Sequence, residues 1–198
     1  RRTSQITDPP NGKYPPRTEA AVAAARELRE WRAAHPADSW TDRPLGERCL
    51  SFGAPRPGSG YNSYWQIVQS RDTVVIYQEM AHDARIIPIG EQPHAPASVK
   101  LWHGDSRGWW EGDTLVIETT NYSDASSTSP ETDRKVNVER LTRISNNALQ
   151  YQLTSSDPGQ FASPYTREII FDHSPDKIYE YACHEGNYGM YNILSGHR

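Results

Sequence analysis

Three places in the chain set an imidazole beside a carboxylate: His82-Asp83, His103 with Asp105, and His184-Glu185. Neutral imidazole is a good ligand for zinc or copper, and a neighbouring carboxylate can orient the ring or hold its cation. In an extended strand alternate residues share a face. His103, Asp105 and Arg107 are therefore expected to project together, as are Asp83 and Arg85. Such a set suits proton transfer on a polar substrate, with Arg85 and Arg107 holding an anion. The plainer reading, which we prefer, makes Asp83–Arg85 and Asp105–Arg107 ion pairs at strand ends with histidines at the rim. Ion-pair networks imitate sites. No cofactor is expected. Should one exist, zinc or copper at His82, His103 and His184 is the alternative.

The densest run is "YEYACHEGNYGM", residues 179–190. A c-type haem site needs a cysteine where Glu180 stands. A zincin needs a histidine where Tyr188 stands, and Gly186 breaks the helix it would occupy. The run reads better as the end of a strand "KIYEYAC", anchored by Cys183, with Gly186 and Asn187 forming a turn. "GDSRG", residues 104–108, matches a nucleophile-elbow pattern around Ser106, but a hairpin follows where a helix is required. Trp65, Trp102, Trp109 and Trp110 offer either a platform for a flat ligand such as a sugar, with Trp102 and Trp109 the candidates, or core and interface packing. The second is preferred. In "WW" the rings must face opposite sides of a strand, one core and one nearer the surface.

Bulk properties exclude several classes. The chain has 198 residues, a net charge of -4 and a pI near 6.0. No Lys/Arg run is interleaved with aromatics, which argues against a nucleic-acid partner. No apolar run approaches the roughly 20 residues of a membrane span, which argues against insertion. Cys49 and Cys183 suit either one long-range bridge or two buried thiols. The opening "RRTSQITDPP" lacks a Met and an apolar signal region, so we expect a processed form or an upstream segment.

The elements that must position these residues are mostly strands. Residues 1–17 read as an extended Pro-rich arm, expected to dock on its own domain or a neighbouring chain. Residues 18–35 form a helix, capped by Thr18, stopped at Pro36, with a thin apolar stripe of Ala21, Ala24, Leu28 and Trp31. Residues 36–62 form an irregular coat tied down by Trp40, Leu45, Leu50 and Phe52. Residues 63–198 form the β part of a single domain, 1–198. Its hairpins turn at Gly112-Asp113, at "SNN" and at "SPD", the last joining "YTREIIFDH" to "KIYEYAC". "SDASSTSPETD", residues 123–133, is one long polar loop. The fold class is mainly β: an antiparallel meander forming a barrel or strongly curved sheet, lipocalin-like in the broad sense.

The stretches "EMAHDARIIPI", "GDSRGWWEGDTLVIETTNYSD" and "YEYACHEGNYGM", with "DPPNGKYPP" and "DRPLGERC", resemble a widespread set of uncharacterised secreted proteins of soil bacteria, notably acidobacterial and proteobacterial. The resemblance covers nearly the whole chain. It implies export to an extracellular or periplasmic location, and hence an oxidised Cys49–Cys183 pair; it carries no activity. The expected function is a secreted structural or interaction module that assembles with itself, as a homo-oligomer or filament, through its arm or sheet edges. The alternative is an enzyme or ligand-binding protein for a polar, carbohydrate-like substrate, worked by His82, Asp83, His103, Asp105, His184 or Glu185.

Overall fold

The computed structural model describes residues 3–58, 60–123 and 134–196. The polar loop, beyond Ser123, lies outside them. Branched and aromatic residues alternate with polar ones through most of the chain, and the result is antiparallel β. The elements are β1 Ile6–Asp8, α1 Glu19–Ala34, β2 Trp65–Gln69, β3 Thr73–Gln78, β4 Ala84–Pro88, β5 Asp105–Glu111, β6 Thr114–Thr120, β7 Val136–Ser145, β8 Ala148–Ser156, β9 Tyr165–Asp172 and α2 Tyr188–Gly196. They form a six-stranded sheet in the order β1-β9-β8-β7-β6-β5 and a three-stranded sheet in the order β2-β3-β4. Each sheet has two ends, so no closed barrel is present among the described residues.

The two inner faces meet in one core. Val74, Ile76 and Ile87 of the small sheet pack with Leu115, Ile117, Leu141, Tyr151 and Leu153 of the large one. In β8 the alternation of Leu149, Tyr151 and Leu153 is the inward set, as the sequence pattern predicts. The sheets touch where β4 ends. Ile89 bridges Gly108 in parallel, and Gly90 N–H donates to the Gly108 carbonyl at 2.9 Å. A Cβ on Gly108 would stand 2.6 Å from Ile89 Cδ1 and 3.1 Å from Ile87 Cγ2, so a larger residue there requires these side chains to shift.

Local signals account for the ends of the elements. Thr18 Oγ1 accepts the Ala21 N–H at 3.1 Å and caps α1. The predicted apolar stripe of α1 is mostly uncovered: only Ala21 is buried, and Trp31 stacks on His35 at 4.6 Å. The coat is likewise held differently than expected, since Trp40 and Leu50 are exposed while Cys49 and Ser51 are buried. The β5–β6 hairpin turns at Gly112 (φ 59), as expected. The arm docks on its own chain: β1 pairs with β9, Arg17 bridges Phe161, and Tyr14 packs edge-on to Tyr165 at 4.9 Å.

The third hairpin is corrected. "KIYEYAC" forms no strand: the arm meets β9 only at Thr166 and Arg167, and the segment, tied by the Cys49–Cys183 bridge, does not return along β9. The segment instead crosses to the small sheet. Tyr179 N–H donates to Glu79 Oε1 at 3.3 Å, and Tyr181 N–H to His82 Nε2 at 2.8 Å. The turn at Gly186 then opens into α2, a helix not anticipated from the sequence. No helix among the described residues is long and apolar enough to cross a membrane.

Candidate functional site

The three histidine segments are drawn to one corner. The Cys49–Cys183 disulfide ties the coat to the C-terminal segment, with a Cα–Cα distance of 5.6 Å. Asn187 Nδ2 donates to Cys49 Sγ at 3.2 Å. Two residues after Cys49, buried Ser51 meets both partners of a histidine–carboxylate pair. Its Oγ donates to Asp83 Oδ2 at 2.9 Å and lies 3.1 Å from His103 Nε2, which is itself 3.3 Å from Asp83 Oδ1. Gly53 N–H also donates to Ser51 Oγ at 3.0 Å. Backbone strain collects here as well. Cys49, Ala81 and His82 all take left-handed φ values, 57, 59 and 56, which cost non-glycine residues energy.

Serine, histidine and aspartate together invite comparison with a nucleophilic triad, and the geometry differs from one. In a triad the serine proton goes to one ring nitrogen and the aspartate holds the other. Here serine and aspartate share Nε2, the serine proton is given to the carboxylate, and Ser51 is buried. What the arrangement does is fasten three loops, those of Ser51, Asp83 and His103, by satisfied polar contacts. Around it, His82 accepts a backbone N–H through Nε2, and His184 and Glu185 are exposed at the turn. Among the described residues, no three of His, Cys, Asp and Glu are grouped to hold a metal ion.

The expectation that His103, Asp105 and Arg107 act as one set is corrected. Gly104 (φ 72) turns the chain before β5 begins, so His103 faces Asp83 while Asp105 starts the strand. Asp105 pairs with Arg107 Nη1 at 2.8 Å, as the structural reading predicts. It also takes His94, whose Nδ1 lies 2.8 Å from Asp105 Oδ2 and whose Nε2 lies 3.2 Å from Glu118 Oε1. His94 escaped notice because no carboxylate adjoins it in "EQPHAPAS"; its partners come from β5 and β6. Burial pushes the Asp105 carboxyl up, but the Ala95 N–H, His94 and Arg107 outweigh it and hold it below the usual carboxylate range. Arg107 is further engaged by the carbonyls of Pro93 (3.0 Å) and Ser106 (2.8 Å), so it is occupied rather than poised for an anion.

Arg85 is also corrected. It does not pair with Asp83 and cannot reach an external anion, because it is buried in the core against Glu139 of β7. Tyr151 O–H donates to the same carboxylate at 2.8 Å. Burial opposes the Arg85 charge, but Glu139 more than compensates and its pKa is raised. Burial, then the Glu139 charge, pushes Tyr151 well above the ordinary phenol range, so it remains a neutral donor. Trp102 and Trp109 are both exposed; Trp109 Nε1 donates to Glu111 of its own strand at 3.0 Å. Trp110, on the opposite face of β5, is exposed too, so neither ring of the pair enters the core.

The concave surface lies elsewhere. A groove of about 690 Å³ runs between residues 63–67 and the segment after β9, over Trp65 and Phe171, whose rings stand 4.9 Å apart. No β3 residue lines it, so it follows the unpaired side of β2. In the β2–β3 ladder Ser70 N–H bonds Thr73 and Glu79 N–H bonds Tyr64. Alternation then turns the N–H and C=O groups of Trp65, Ile67 and Gln69 away from β3.

No family model, curated protein or solved structure matches the chain.

Proposed function

We propose that the chain is a secreted interaction module that associates with copies of itself by adding a strand to an exposed sheet edge. The observation that carries this reading is the edge of β2. Natural sheets protect an edge with lysine, proline, charge or a covering segment. "WQIVQ" has no charge and no proline, and it presents Ile67 and Val68 to solvent. The other end strands of the two sheets differ from it. β1 is three residues long and runs into Pro9, β5 carries Asp105, Arg107 and Glu111, and β4 is followed by the Ile89 bridge to Gly108. Beside β2, the outer face of the small sheet adds Val68 (53% exposed) and Ile86 (69% exposed), joined through Val75 in one cross-strand row. Apolar patches of this kind mark interaction surfaces.

The disulfide supports an oxidising compartment, and so does the resemblance to secreted soil-bacterial proteins. The arm is occupied by β9, so assembly is assigned to the sheet edge rather than the arm. Proline at position 67 tests the reading. It removes an N–H that points away from β3, leaving the internal ladder intact. Wild-type protein is expected to associate with rising concentration in sedimentation equilibrium, and Ile67→Pro to stay folded and monomeric. A wild type that is monomeric throughout overturns the reading, as does an Ile67→Pro variant that associates unchanged.

A second reading, an enzyme or binder for a polar substrate, rests on one observation: the half-buried His103 ring is fastened to buried Asp83 at the corner where the histidine segments meet. It predicts that a sugar or carboxylate ligand shifts the His103 ring resonances. Unchanged resonances across a panel of such ligands count against it.

A further inference from the structure

The occupant of the β2 edge has a definite register. Resting on the self-association reading above, we propose that β2 pairs antiparallel with β2 of a second copy about a two-fold axis through Ile67, seating Arg71 of each copy in the other's groove. The outward-facing groups belong to Trp65, Ile67 and Gln69. An antiparallel partner must offer its own outward groups opposite them. Only odd residues can face odd residues, and centring on Ile67 matches all three: Trp65 with the partner's Gln69, Ile67 with the partner's Ile67, Gln69 with the partner's Trp65. The surface is thus self-complementary, as a two-fold interface requires. With no charge in the strand, no like charges oppose each other across the axis. The inner row Ile76–Ile67 continues directly into its symmetry mate, giving four isoleucines abreast.

The same register places the β2–β3 turn. Counting outward from Trp65, Tyr64 faces the partner's Ser70, and Ser63 faces the partner's Arg71. Ser63 lines the groove, whose rim carries Asp172 and Asp176. Tyr64 O–H donates to Asp176 Oδ2 at 3.4 Å, which places that carboxylate beside the entering turn. His173 and Lys177 share the rim. Arg71 is exposed at the tip of its turn, while the neighbouring Asp72 is engaged by Ser70 and Thr73 hydroxyls at 3.4 Å each. The Arg71 guanidinium therefore comes beside Asp176, on a rim of mixed charge, and the two contacts repeat across the axis. Such charge complementarity fixes register.

Cysteine cross-linking of the full chain under mild oxidation reads the register. Opposed Cα atoms of a hydrogen-bonded pair stand about 5.5 Å apart, within disulfide reach. Ile67→Cys is expected to give a covalent dimer. Val68→Cys, whose symmetry mate lies diagonally at about 7–8 Å, is expected to give little. Arg71→Glu and Asp176→Lys should each weaken dimerisation about 10-fold, and the double variant should recover most of it. Circular dichroism checks that each variant folds. If the protein dimerises while Val68→Cys cross-links better than Ile67→Cys, or the charge swap gives no recovery, the register is overturned and self-association stands. If the wild type never dimerises, both fall.

Discussion

Arg85 and Glu139 meet across the core through two parallel hydrogen bonds, Nη1 to Oε1 at 2.6 Å and Nη2 to Oε2 at 2.8 Å. Their side chains are 2% and 0% exposed. A charge left alone there has no solvent to compensate it. Glu139→Leu is expected to cost ~3–5 kcal/mol, because it strands the guanidinium. Arg85→Met combined with Glu139→Leu should cost far less, although Tyr151 then loses its acceptor. Urea midpoints of the single and double variants check this; equal losses in both would show that the pair is not the source.

This pair also shows what the sequence leaves hidden. Two-residue spacing in a strand predicts that Arg85 stands beside Asp83, and both are indeed buried. Which carboxylate Arg85 meets depends on how the small sheet lies over β7, and no local pattern encodes that. The alternation in β8, the Thr18 cap and the Gly112 turn were legible because each depends only on near neighbours in sequence. The fate of "KIYEYAC" was not, since Glu79, His82 and Cys49, which hold the segment, stand 100, 99 and 134 residues from their partners in sequence. Ser51 and His94 were missed for the same reason as Glu139: their partners are 32, 11 and 54 residues away, for Asp83, Asp105 and Arg85.

Asp105 predicts a pH dependence. Its carboxyl is held below the ordinary range by the Ala95 N–H, His94 and Arg107. A depressed folded-state pKa stabilises the protein above the unfolded value of about 4 and is lost as pH falls through the folded value. Asp105→Asn should therefore lower the urea midpoint at pH 7 and flatten its decline as pH is lowered below about 4. A decline as steep as the wild type's would assign the acid sensitivity to other carboxylates.

Gly108 predicts an effect of shape alone. A Cβ there meets Ile89 Cδ1 at 2.6 Å and Ile87 Cγ2 at 3.1 Å, both in the seam between the sheets. Gly108→Val should destabilise by ~1–3 kcal/mol as the seam opens. Trimming Ile89 to alanine in the same chain should recover part of that loss. A calorimetric melting temperature that the second change leaves unmoved would place the strain elsewhere.

The Cys49–Cys183 bridge closes a loop with a sequence separation of 134. In the chain-entropy account such a loop is worth about 5 kcal/mol through the unfolded state. The corner gives it a second role. Apart from the bridge, the C-terminal segment reaches this corner through Asn187, through Tyr181 to His82 and through Tyr179 to Glu79. Cys49→Ser with Cys183→Ser should thus act twice: a lower global stability, and faster amide exchange at residues 179–187 than at the β6–β8 core. The Tyr181 amide, held by His82, reports most directly. If exchange rises uniformly across the chain instead, the bridge acts on the unfolded state alone, and the segment is held without it by the Tyr179 and Tyr181 amides on Glu79 and His82.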